Sequence, residues 1–225
     1  MKRVVLSIGT MMALATPAAS QWLGTPAWNS PKGGTGVTFY GDYGAPSDSS
    51  GGGNAFGGRA ALGIGTITLT AGVASWKPDG LNDRVTSYGA TAAFRLIGGS
   101  LIPVSVGLQL GAAHSAEVTS GTSTFPAQTT VLGGVGVSVP LPTPGISIEP
   151  YISPGIRYHK ISNAPAGTKD HETNVGWVIG GNFSFGLVGI HVAYDSEKRD
   201  NGITKNTQKV LGVGADVGLR LPMGL

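Results

Sequence analysis

Leu101 to Ala116 reads LIPVSVGLQLGAAHSA, and its pattern decides the fold. Ile102, Val104, Val106, Leu108, Leu110 and Ala112 occupy every second position. Between them, Pro103, Ser105, Gly107, Gln109, Gly111 and Ala113 are small or polar. Side chains on a strand alternate faces, so the stretch predicts a ribbon with one apolar side and one side of small polar groups. Strands of soluble sandwiches usually run about five or six residues. This one runs roughly twice as far, the length a tilted strand needs to cross a hydrocarbon layer. The expectation is that the apolar side meets lipid and the other side looks into a closed bore.

The same period recurs along the chain, predicting about ten strands at roughly 35–43, 55–64, 66–76, 84–96, 101–115, 127–139, 146–159, 172–185, 187–196 and 206–221, with eight as the alternative count. The connections Gly44–Asn54, Lys77–Asp83, Ala116–Pro126, Lys160–His171 and Glu197–Lys205 are long and polar. Those at Gly65, Ile97–Ser100, Pro140–Gly145 and Gly186 are tight. Long and short connections therefore alternate, as they do in an up-and-down transmembrane β-barrel with short turns at one end and long loops at the other. Outward positions include Ile67, Leu69, Ala71 and Val73, then Tyr88, Ala90, Ala92, Phe94 and Leu96, and later Val131, Val135, Val137 and Val139. Pro150 and Pro154 share a register with Ile148, Ile152 and Ile156. Each removes a ladder donor, so a bulge or distorted pairing is expected there.

Aromatic residues fall into two bands on this map. Tyr43, Tyr88, Tyr158, Trp177 and Tyr194 lie toward the long loops, and Phe94, Phe183 and Phe185 toward the short turns. Membrane interfaces select such girdles. Lys77, Lys160, Lys169, Lys198 and Lys205 sit in or beside the long loops, and Lys209 points outward at that end, where it can reach lipid phosphates.

Residues 1–20 read as a secretory signal peptide: Lys2 and Arg3, an apolar run from Val4 to Ala15, Pro17, then Ala18-Ala19-Ser20 as a cleavage region. Of 15 basic residues, Lys2 and Arg3 leave with the leader, and 13 then face 12 acidic ones. That balance gives nucleic-acid binding no support. Residues 21–32 read as an irregular periplasmic lead-in and 33–225 as the barrel. Cysteine is absent, although export would permit disulfides. Glycine stands at 38 of 225 residues, more than twice the usual ~7%. It follows no collagen triplet and is interleaved with Val, Ile and Leu, which argues against a disordered linker.

Taken together, these segments resemble the small outer-membrane β-barrel proteins of Gram-negative bacteria, OmpA/OmpX-like in the broad sense, over about residues 33–225. The resemblance extends to the final strand, where Leu211, Val213, Ala215, Val217, Leu219, Leu221, Met223 and Leu225 keep one register. It implies residence in the outer membrane, contact with outer-membrane lipids and lipopolysaccharide, and delivery by the outer-membrane insertion machinery. The family's assembly signal commonly ends in an aromatic; here Leu225 stands in its place and Pro222 interrupts the strand.

Inward parity collects Asp42, Arg59, Arg95, Gln109, Glu149, Arg157, His159, His191, Asp195, Asp216 and Arg220. Charges of both signs in a narrow bore imply pairing or water. Inward glycines such as Gly107, Gly176, Gly180, Gly212 and Gly214 are expected to leave room for water. A barrel of about eight strands is filled by side chains, whereas wide channels need roughly sixteen. The expected role is therefore structural, or a small non-specific pore, without catalysis, metal or cofactor. Two alternatives are weighed. One is a surface adhesin acting through Lys169-Asp170-His171-Glu172 and Glu197-Lys198-Arg199-Asp200. The other is a lipid A-modifying hydrolase, because Arg157 to Ala164 faintly resembles the His-x-Ser-Asn motif of lipid A deacylase barrels. Here His159 and Ser162 are three apart, not two, which puts them on opposite faces. Asp195 with His191 or His159 would mimic the Asp–His pairing of protease barrels.

Overall fold

The computed structural model describes residues 22–28, 30, 35–99, 102–121, 123–164 and 167–219. The leader and its cleavage region, and Arg220 through Leu225, lie outside the described residues. Ten long strands form the wall: β1 Gly36–Pro46, β2 Asn54–Ile64, β3 Ile67–Lys77, β4 Val85–Gly99, β5 Ile102–Ser115, β6 Gln128–Ser138, β7 Ile146–Ile161, β8 His171–Phe185, β9 Val188–Asp200 and β10 Lys205–Leu219. Each pairs antiparallel with its neighbours, and β10 pairs with β1, closing the ring. Closure leaves no edge, so every wall strand finds partners on both sides, as a hydrocarbon surrounding requires.

The strands match their sequence-predicted positions to within a few residues. β9 is the informative exception. The period predicts its end near 196, whereas it continues to Asp200, and only residues 201–204 link it to β10. The presumed long loop is thus mostly strand standing above the apolar band. The loop from Ala116 to Ala127 contains a short hairpin, Val118–Ser120 against Ser123–Phe125.

No bulge forms at the prolines of β7. Its register with β8 is continuous through Pro150 and Pro154. Toward β6 the register is also kept, and pairing merely lapses at Ser153 and Pro154, between Ile152↔Val137 and Gly155↔Gly134. The register shifts occur elsewhere, between Arg95 and Gly99 of β4 opposite the start of β5.

The exterior follows the alternation. Leu110 and Val175 are each 68% exposed, and Ile67, Leu69, Val73, Ile152, Ile156, Ile179, Val213 and Val217 join them in one continuous apolar surface. Tyr43, Tyr88, Tyr158 and Trp177 are exposed toward the long loops, and Phe94 and Phe185 toward the short turns. Tyr194 is half-buried beside Trp177, with ring centroids 5.7 Å apart, and Phe183 is half-buried on the outer face. A surface this apolar, running all round a closed barrel, far exceeds the patches that water-soluble monomers expose.

Candidate functional site in the bore

The main surprise is the lead-in. Its residues 22–28 run inside the bore. Trp22 and Leu23 are 2% and 3% exposed, Ala27 is fully enclosed, and Trp28 is 7% exposed. Trp22, Ala27 and Trp28 form one core cluster with Ala74, Leu132, Tyr151, Val178 and Ala193, which come from five different strands. The direction of travel is readable from contacts. Gly24 lies against Gly44, Ala55 and Trp76 at the long-loop end. Ala27 N–H donates to Asp195 Oδ2 at 2.8 Å farther down. Trp28 meets the His191 ring edge-on at 4.6 Å, and Ser30 Oγ accepts from Asn182 Nδ2 at 2.8 Å toward the short turns. Residues 22–30 thus run down the inside of the barrel from the long-loop end toward the short turns, as far as they are described.

The wall is shaped to seat it. Gly44 and Gly212 face each other across β1 and β10. A Cβ on Gly44 would sit 2.0 Å from Gly24 O, and one on Gly212 would sit 2.5 Å from Pro26 Cδ and 2.9 Å from Trp28 Cη2. Other inward glycines make room for large polar side chains. Cβ atoms would strike Arg157 from Gly176, Tyr151 from Gly180 and His191 from Gly214. Gly176, Gly180, Gly212 and Gly214, read as leaving space for water, instead accommodate protein.

Two ion-pair clusters fill the wall around this plug. Toward the long loops, Arg157 bridges Asp195 at 2.8 Å and Glu197 at 3.0 Å. Glu197 Oε1 also meets His159 Nε2 at 2.7 Å and accepts from Asn174 at 3.1 Å, while Thr130 holds His159 Nδ1 at 2.9 Å. Just above, Arg199 pairs with Glu172. Lower in the bore, Arg59 forks onto Asp42 at 2.5 and 3.0 Å. Asp42 also takes His191 Nε2 at 2.7 Å, and Asp216 lies 3.4 Å from His191 Nδ1. The Arg59 guanidinium packs over Tyr40 at 4.3 Å, Trp28 at 5.1 Å and Trp22 at 5.9 Å, a set of cation–π contacts tying wall to plug.

The remaining sequence-predicted residues are dispersed. Glu149 is buried and accepts from Ser138 Oγ at 2.6 Å. Gln109 is buried lower in the bore. Arg95 sits at the short-turn rim on the Gly65 carbonyl at 3.4 Å. Arg220 lies outside the described residues. His159 is not joined to Ser162 or Glu172: both its ring nitrogens are taken by Thr130 and Glu197, and it is fully enclosed. Nor does Asp195 pair with either histidine; it serves Arg157 and Ala27 instead. Glu172, Glu197 and Arg199, weighed above as loop contacts of a surface adhesin, point inward and are buried. The signal for Glu197 and Arg199 was present, because they continue the parity of His191 and Asp195. For the plug, the signal was three large apolar side chains, Trp22, Leu23 and Trp28, in a segment that Gly24 and Pro26 interrupt and that lacks a strand's alternation.

Above the plug the long-loop mouth is capped. Trp76, Leu23, Ala55, Val85 and Phe125 form an apolar cluster with Leu81 and Val118 packed on it. Phe125 meets Trp76 edge-on at 5.6 Å, and Ser120 Oγ accepts from Asn82 N at 3.2 Å, so the 118–125 hairpin is folded over the opening. At the other end, among the described residues, the bore holds a cavity of about 620 Å³ that reaches up to Trp28, Arg59, Tyr151 and His191.

No protein-family model and no curated protein matches the sequence. Among solved structures, a bacterial polysaccharide outer membrane secretin is 10% identical at a TM-score of 0.49, covering 75% of this chain; the chain spans only 57% of the secretin's length. Neisserial surface protein A is 19% identical at a TM-score of 0.34, with 81% of this chain and 96% of that one covered. The β domain of the Bordetella autotransporter BrkA is 12% identical at a TM-score of 0.50, covering 81% of this chain and 98% of that one. Identities this low speak for architecture alone, and in architecture the chain is similar to the BrkA β domain: a closed antiparallel β-barrel of the outer-membrane kind.

Proposed function

We propose that this chain is an integral outer-membrane protein with a non-catalytic, structural role in the envelope, its bore shut in the conformation described. The observation that carries the reading is a pairing of opposites: an exterior that only acyl chains can solvate, and an interior occupied by the chain's own residues 22–28. In this reading the long loops face outward from the cell. Lys160, Lys198 and Lys209, exposed on the outer face above Tyr158 and Trp177, lie at the height of lipopolysaccharide phosphates. The insertion machinery of the outer membrane would deliver the barrel. The small-pore reading survives only if the plug withdraws, because plug, ion pairs and capped mouth lie in series.

Planar-bilayer recording of the refolded protein tests this. The expected result is a silent membrane, with conductance steps appearing once Gly44 and Gly212 are both replaced by valine. Steady steps from the wild-type protein would overturn the closed, structural reading and restore the pore.

A further inference from the structure

The cavity at the short-turn end has chemistry of its own. Thr38, Thr68, Thr70, Thr91, Gln109 and Asn182 line it, so hydroxyl and carboxamide groups face it from several strands. Its roof is Trp28, Tyr40, Arg59, Tyr151 and His191. The roof charges are matched. Arg59 spends its fork on Asp42, and His191 lies between Asp42 and Asp216. An anion would meet Asp216 and a guanidinium already engaged. A cation would face Arg59. Trp28 closes the roof with its ring, and its indole N–H is itself buried. At about 620 Å³ the cavity falls within the size of small-molecule sites, about 300–1,000 Å³.

We infer that this vestibule binds a small, uncharged, polyhydroxylated solute of the sugar or polyol class, entering from the short-turn end and stopping at Trp28. The threonine, glutamine and asparagine side chains exchange hydrogen bonds with its hydroxyls. The ring of Trp28 offers apolar surface to its C–H groups. Trp28 belongs to the plug, so bound solute also fastens the plug in place. The inference rests on the closed bore of the proposed function, but it is read by a different measurement.

The test is a titration of the refolded full chain in a micelle of lauryldimethylamine oxide, a detergent without sugar groups. Maltose, sucrose and glucitol are the probes, followed by saturation-transfer NMR of the solute and by tryptophan fluorescence. A saturable signal with at least one of them is expected. It should weaken about tenfold or more in Thr70→Val combined with Gln109→Leu, and stay unchanged in Thr173→Val, which is exposed on the outer face toward the long loops. Folding of each variant is checked by its heat-modifiable migration on gels. No saturable signal from any probe would overturn the inference. So would stronger binding of inorganic phosphate or choline, which would make the site one for ions. Conductance from the wild type with sugar binding intact would instead remove the structural reading and leave the site.

Discussion

Gly212→Val presses directly on what holds the plug. Burying Trp22, Leu23 and Trp28 contributes about 1.5–3 kcal/mol each. Hydrogen bonds from Trp22 Nε1 to Gly72 O, from Leu23 N to Ser87 Oγ and from Ala27 N to the Asp195 carboxylate add roughly 4 kcal/mol together. Against this, fixing the backbone of residues 22–28 costs about 1–2 kcal/mol per residue. The two sides nearly cancel, so the plug is held by only a few kcal/mol. A valine Cβ at 212 would lie 2.5 Å from Pro26 Cδ, and such overpacking costs about 1–3 kcal/mol. Exposure of the plug should therefore rise by roughly 5- to 150-fold. The chain has no cysteine, so Thr25→Cys, at a position 1% exposed, gives a clean reporter. Its labelling by a membrane-impermeant maleimide should be slow in the otherwise wild-type barrel and accelerate by that factor with Gly212→Val. Gly218→Ala is the control, inward on the same strand, where a Cβ meets nothing closer than 3.6 Å. Rapid labelling at the outset, or equal rates with and without the valine, would refute the seating.

Three further outcomes follow from the same geometry. Ile179→Arg, 51% exposed at the middle of β8, should lose about 2–4 kcal/mol in urea unfolding from vesicles, while Thr173→Arg near the long-loop end should lose about 0–1 kcal/mol; equal penalties would contradict the assigned depth. Arg157→Met leaves Asp195 and Glu197 without their shared cation and should cost about 3–5 kcal/mol. Neutralising both acids alongside it (Asp195→Asn, Glu197→Gln) should recover most of that loss, measured by the same unfolding midpoint. Trp76→Ala removes the centre of the mouth cluster, which should cost about 3–5 kcal/mol and expose the 118–125 hairpin to limited proteolysis; a hairpin still resistant would show the cap is held by something else.

The wall was legible because its information is local. A period of two, sustained from Ile102 to Ala112 and repeated in strand after strand, states which side chains share a face before any partner is known. It located the strands to within a few residues and separated Leu110 from Gln109 and Ile190 from His191. The hydrophobic signal failed where the surroundings change. Above the apolar band β9 needs no greasy face, so Glu197 and Arg199 looked like loop although they kept the inward parity of Asp195. At the prolines of β7 the milder of the two expected outcomes holds: pairing toward β6 lapses at Ser153 and Pro154, and no bulge forms.

By itself the sequence determined an antiparallel barrel wall, its outward face and the inward set of charges, since each follows from alternation along a single strand. Only the tertiary structure decided what fills the bore. Residues 22–28 have no period to read, and their place depends on ten strands closing around them. Whether Gly44 and Gly212 border water or chain, and whether His159 answers Ser162 or Glu197, depends on distances across the barrel. Those are set by ring closure and not by spacing along the chain.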